Sequence, residues 1–264
     1  MLVVRGAARR PTTPAPAHPD VDPYLGAAVT PAPPGDDREA VAERRARAAR
    51  SLACADIVDA LGRIHRHHAH IHDLVTPTPG RVLFGPAVTI SFFPSCSVMA
   101  DPETHTFGAL FQQAVGVKSD DARGKVLVLA SNGHRDVSIG GATKLSLLAR
   151  YGLAGVLTDA RLRDFAQLKS YPFAAYCSAE AVRWGGDVIT PYQANVPIVV
   201  AGVGVHPGQY VFADDSGAVV IPEPDIDAVL DGAVTVGKEE AAFRARVEQE
   251  RTTGRAGTEG QQER

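Results

Sequence analysis

The residues best suited to chemistry lie in one stretch, GGATKLSLLARYGLAGVLTDARLRDF, residues 140–165. A Gly-Gly turn opens a helical pattern, an apolar strand follows, and the strand ends on Asp159, Arg161, Arg163 and Asp164. Charged groups just past the carboxyl end of a buried strand are where mixed α/β folds commonly build sites. Arg163 and Asp164 divide labour between them. The carboxylate is a hard oxygen ligand for Mg²⁺ or Mn²⁺, while the guanidinium can grip a substrate carboxylate or enolate in a planar, charge-assisted fork. Taken alone, the same pair also reads as the beginning of a helix, RDFAQLKS, with Asp164 favourably placed in its first turn.

Four further features carry polar chemistry. His134 and Asp136 occupy the preceding loop, SNGHRD, where an imidazole titrating near neutrality could move protons. Lys144 stands at a helix start that is usually apolar, within reach of an anionic substrate. The tract IHRHHAHIHD packs His65, His67, His68, His70 and His72 together. Imidazoles at that density can bind Zn²⁺ or Ni²⁺, but no cysteine and no helical pairing with an acid defines a closed site, so a solvated loop is expected. Trp184, the one tryptophan, reads as a packing anchor beside Arg183. GVGVHP, from Gly202, lacks the third glycine of a dinucleotide fingerprint and runs into a strand, which marks tight turns.

These residues need elements to hold them. Apolar segments bounded by Gly and Pro (VLFGPAVTISFF, KVLVLAS, AGVLTD, VPIVVAGV, QYVFAD, AVVIP) alternate with the helical patterns ADIVDALGRI, TKLSLLARY and RDFAQLKS and a long closing helix. That order predicts a mixed α/β domain over residues 38–248. Residues 1–37, dense in Pro and Ala, are expected to form a mobile arm, with Asp36 and Asp37 offering an N-cap for the first helix. Residues 249–264 are expected to be a polar tail. A net charge of -3 gives no basic face for nucleic acid. No apolar run approaches the roughly 20 residues that span a bilayer. The opening residues MLVVRGAARR hold too short an apolar stretch for a signal peptide, and the three scattered cysteines, Cys54, Cys96 and Cys177, read as reduced thiols; a cytoplasmic protein is expected.

From about Ser51 to about Glu248 the order of segments resembles the RraA-like family. SLACADIVDALGR is similar to its opening helix, FGPAVTI to its first strong strand, GKVLVLASNG to the strand before its glycine loop, and LAGVLTDARLRD to its hallmark segment ending in Arg-Asp. GVGVHPGQYVFADDSGAVVIP resembles its closing turns and strands. The resemblance implies a layered α-β-β-α sandwich of the swivelling β/β/α type, assembled as a homotrimer or homohexamer with active sites at subunit interfaces. It implies a divalent-metal-dependent lyase that cleaves or decarboxylates a small 2-oxo dicarboxylate, as 4-hydroxy-4-methyl-2-oxoglutarate aldolases do. Asp164 would place Mg²⁺ or Mn²⁺, and Arg163 would bind the 2-oxo acid and steady its enolate. The loop of Gly140, Gly141, Ala142, Thr143 and Lys144 would bind substrate, largely through amides. Glu239 or Glu240 would complete the metal site of a neighbouring subunit. Many family aldolases carry an aspartate where this chain has Ala142, and Asp136 and His134 are its candidate substitutes. Two other readings remain open: a non-catalytic regulatory binding protein, and a pathway-specific enzyme using the same metal-enolate site on another substrate.

Overall fold

A computed structural model of the protein describes residues 35–95, 101, 103–116 and 122–259. The chain divides at Arg38, and the architecture below belongs to residues 39–264. Most of the expected N-terminal arm lies outside the described residues, and helix α1 (Gly35–Ala49) begins at Gly35, so Asp36 and Asp37 fall within its first turn and do not precede it as a cap.

The organising element is strand β2 (Leu83–Pro94), which is long enough to belong to two neighbourhoods. Its first residues pair antiparallel with β11 (Tyr210–Asp214), which continues to β12 (Gly217–Ile221) and to the short edge strand β1 (His70–Ile71). Its later residues pair parallel with β3 (Val126–Ala130) and antiparallel with β8 (Ile189–Ala194). Parallel pairing then carries the sheet through β5 (Gly155–Thr158) to β7 (Ala174–Tyr176), completing eight strands.

Strand alternation sorts the apolar side chains into three cores. Val88, Ile90 and Phe92 of β2 face helices α3 (Phe107–Val115) and α4 (Ala142–Tyr151). On the opposite face, Ala87, Val126 and Val128 meet Val211, Ala213 and Val220, and the hairpin of β9 (Ile198–Val200) and β10 (Val203–Val205) joins them. Beyond that, Phe212, Val219 and Ile221 lie under α2 (Cys54–Gly62) and α6 (Ile226–Glu259). The succession is helix, sheet, sheet, helix, the layering the sequence leads one to expect. Each fully buried large apolar side chain contributes roughly 1.5–3 kcal/mol to it.

Three local expectations change. VPIVVAGV is a hairpin and not one strand, because Ala201 (φ 49) and Gly202 (φ 87) turn left-handed between its halves. The closing helix runs on to Glu259, through most of the expected polar tail. The histidine tract is partly ordered: β1 pairs with β12, Ala69 and Ile71 point inward, and His68, His70 and His72 share the outer face with ring centroids 4.7 and 4.6 Å apart. Cys54 and Cys177 are free thiols whose proton affinity is raised by burial, that of Cys177 to about 12; Cys96 lies outside the described residues. Among the described residues no helix is long and apolar enough to cross a membrane.

Candidate functional site

A two-stranded parallel ladder brings the glycine loop to the Arg-Asp turn. Strand β4 (Ser138–Gly140) pairs with β6 (Arg161–Leu162), and the Arg163 N–H donates to the Gly140 carbonyl at 2.9 Å. Gly141 is the N-cap of α4 and has no side chain to cap with. A Cβ there would stand 2.6 Å from Asp164 Oδ2, so its absence lets the Asp164 carboxylate close over the helix start. Oδ2 accepts the Ala142 N–H at 3.1 Å, placing negative charge at the positive end of the helix dipole. Among the described residues no donor reaches Oδ1.

Asp164 holds this place in a left-handed conformation, φ 64 and ψ 41. Such a backbone costs an L-residue about 1–2 kcal/mol, less for aspartate, and it cannot continue a helix. Arg163 and Asp164 therefore precede the helix that RDFAQLKS suggests; the helix itself, α5, is only Phe165–Leu168. Its first amide is met from elsewhere: Phe165 N–H donates to Glu180 Oε1 at 3.0 Å. No spacing in the sequence points to Glu180 for that part.

Gly140, Gly141, Thr143, Lys144, Arg163, Asp164 and Trp184 line one narrow cleft, and Ala142, itself buried, lends its amide. The Lys144 ammonium stands 5.6 Å from the centre of the Phe107 ring. Loss of water, and next the positive charge of Arg163, hold it below the usual lysine range. The cleft thus combines two cations and a helix N-terminus with a single carboxylate at the edge.

Other expected members stand apart. The Asp136 side chain is 95% exposed, 3.6 Å from Arg161, and neither it nor His134 lines the cleft. Both lie on the segment between β3 and β4, with Asp136 exposed and His134 half-buried, outside the cleft of their own chain. Glu239 and Glu240 lie on α6, paired with Arg63 at 3.0 Å and Arg244 at 3.1 Å, and are not in the cleft of their own chain. Asp159, at the same strand end, is only 4% exposed. Its oxygens accept the Ser131 N–H at 2.8 Å and the Ala201 N–H at 3.2 Å, tying the loop after β3 to the β9–β10 turn.

The cleft opens past Ser138, Ile139, Lys144 and Trp184 into a cavity of about 450 Å³. Phe92, Phe107, Leu147 and Ile189 form its walls, and His105 at its side stacks on Tyr192 with centroids 5.1 Å apart. Trp184 is 58% exposed and overlies Gly186, where any side chain would collide with its ring.

Among the described residues no group of three or more His, Cys, Asp or Glu side chains could hold a metal ion. Oδ1 of Asp164 alone suits a cation that keeps most of its water, as Mg²⁺ does when bound through one or two carboxylates; it does not suit a closed zinc-type centre.

Residues 54–220 match the RraA-like family model, described as Aldolase/RraA. Protein DlpA of Legionella pneumophila is 24% identical over 157 residues, covering 60% of this chain and 24% of that protein. A 4-hydroxy-4-methyl-2-oxoglutarate aldolase of Thermus thermophilus is 30% identical over 113 residues, covering 41% of this chain and 65% of that protein. The chain thus spans less than two thirds of either relative's length. In fold it is similar to Streptomyces coelicolor RraAS2, an unusual member of the RNase ES inhibitor RraA protein family, with a TM-score of 0.66 at 23% identity over 76% of this chain and 96% of that one. On the family match across its central residues and the layered fold that carries them, this chain belongs to the RraA-like family.

Proposed function

We propose that this chain is a carbon–carbon lyase that cleaves, by retro-aldol reaction, or decarboxylates a small 4-substituted 2-oxo dicarboxylate through a pyruvate-type enolate. The observation that carries the reading is the convergence of Arg163, Lys144 and the start of α4 on one cleft with Asp164 at its edge. The aldolase name of the Thermus relative supports the reaction class.

In this reading the Arg163 fork and the loop amides bind the 2-oxo acid end, and Lys144 takes the carboxylate on C4. As the C3–C4 bond breaks, negative charge gathers on the C2 oxygen beside Arg163. A preorganised donor at such a point is worth roughly 3–4 kcal/mol. Mg²⁺ or Mn²⁺ at Asp164 Oδ1 would supply Lewis-acid charge to the same region. His134 and Asp136 are given no step, since neither lines the cleft. The test is pyruvate release from a panel of 4-hydroxy-2-oxo acids and from oxaloacetate, with Mg²⁺ and with chelator. Metal-stimulated release is expected, and no release from any member under either condition refutes the reading.

The proposed enzyme is a trimer or a pair of trimers in which Glu239 or Glu240 enters a neighbour's site. Both are available for that role, because the exposed ion pairs that hold them are worth at most about 1 kcal/mol. Mixing an Asp164→Ala protein with a Glu239→Ala/Glu240→Ala protein should restore activity that neither parent shows, once subunit exchange is demonstrated. No recovery despite exchange, or full activity in the double glutamate variant, removes both residues from the site.

A further inference from the structure

The 2-oxo acid end of such a substrate needs little room, and the cleft beside Arg163 and Asp164 offers about 40 Å³. Beyond Lys144 the same passage widens to about 450 Å³. An apolar cavity of roughly 150 Å³ already takes up benzene. The wider chamber is walled by Phe92, Phe107, Leu147 and Ile189, and among the described residues no carboxylate lines it. Among the described residues its one lysine is Lys144, which lines both spaces and so stands at the junction with the cleft.

From this geometry we infer that the C4 substituent of the substrate is a large apolar group of aromatic size, seated in the chamber beyond Lys144. The inference rests on the lyase reading of the cleft and adds the substrate class to it. The C4 carboxylate stays at Lys144, and the apolar arm passes between Phe107 and Trp184 toward Leu147. The reaction needs no other reactant. The 4-hydroxyl proton leaves to water, its O–H electrons form the new C4 carbonyl, and the C3–C4 pair becomes the enolate of pyruvate, which takes a proton at C3. For a 4-benzyl-4-hydroxy-2-oxoglutarate the products are pyruvate and phenylpyruvate.

Two measurements decide it. The first compares kcat/KM for 4-benzyl-4-hydroxy-2-oxoglutarate and 4-hydroxy-4-methyl-2-oxoglutarate in the wild-type protein and in Leu147→Trp, which narrows the chamber. The benzyl compound should be preferred by about tenfold or more, and the ratio should fall by about the same factor in the variant. No benzyl preference in the wild type, or a ratio untouched by Leu147→Trp, overturns the inference. The second measurement does not depend on turnover. Trp184 is the one tryptophan of the chain and borders both chambers, so its fluorescence reports occupancy. 2-Oxo-4-phenylbutanoate, which has no hydroxyl to deprotonate, should bind about tenfold tighter than 2-oxobutanoate. Equal affinities overturn the inference, including the case in which a neighbouring copy fills the chamber. If no compound is cleaved but the phenyl acid binds preferentially, the lyase reading fails and the chamber stands.

Discussion

Asp159 follows β5 and Asp164, five residues on, follows β6, and the fold uses them in opposite ways. Asp159 is buried with both oxygens committed to backbone amides from two loops. Asp164 is exposed, spends one oxygen on the first amide of α4, and lines the cleft beside Arg163 with no donor on the other among the described residues. A carboxylate saturated by fixed donors is a fastener. A carboxylate half-satisfied at the edge of a cleft, on a backbone that costs energy to maintain, is in the proposed function the working group. Sequence proximity puts the two in one cluster, and only their hydrogen bonds separate them.

The contrast is open to attack, most strongly through Asp164→Asn. Asparagine accepts the left-handed backbone and keeps an oxygen for the Ala142 amide, so the turn should survive while the charge is lost. We expect kcat/KM for pyruvate release to fall on the order of 100-fold, with a thermal midpoint within about 2 °C of wild type. A matching loss of stability would make Asp164 a second fastener. Asp159→Ala should do the reverse. It strands one buried and one part-buried amide and should cost roughly 2–3 kcal/mol in urea unfolding, with activity per folded molecule intact. An unchanged urea midpoint would refute the fastening role.

The smallest effect concerns Lys144. Its folded-state proton affinity lies below the lysine range through desolvation and Arg163, so the cation is lost as pH rises through a window below that range. KM should therefore rise on the alkaline side earlier than for an ordinary lysine. Stability should move the other way, increasing slightly across the same window because the unfolded chain binds that proton more firmly than the folded one. Lys144→Arg, which stays charged, should remove the alkaline limb in KM. A limb that persists in the arginine variant belongs to another group.

Much of the scaffold was legible because its signals are local. TKLSLLARY has the apolar spacing of α4, and KVLVLAS and AGVLTD are the runs that become β3 and β5. Elements whose patterns conflict with their state were not. β8 contains Pro191 and polar residues, and it forms because β2 offers a partner. β1 hides in a tract of imidazoles whose alternation shows only once Ala69 and Ile71 are seen to point inward. In the site, Arg163, Asp164, Lys144 and the glycine loop could be nominated from residue type and family likeness. The left-handed turn at Asp164, the cap from Glu180 and the outward placement of Asp136 could not, since each depends on which distant segment arrives beside it. The apolar chamber is the extreme case, assembled from β2, α3, α4 and the segment around Trp184.

The length of β2 has a consequence for how the protein comes apart. One end of this strand is stitched to β11 and the other to β3 and β8, so the two halves of the sheet hold a single strand in common. Neither half can open without exposing backbone groups of the other, and melting should run as one cooperative event. The amides of β2 should be among the last to exchange with deuterium. The stitch to β11 also joins residues more than a hundred positions apart in sequence, a long loop to close before any contact rewards it. Refolding should wait on that closure, and the Arg-Asp turn, whose partners Gly140, Ala142 and Glu180 lie far nearer to it in sequence than β11 lies to β2, should be structured before the layers behind it are sealed.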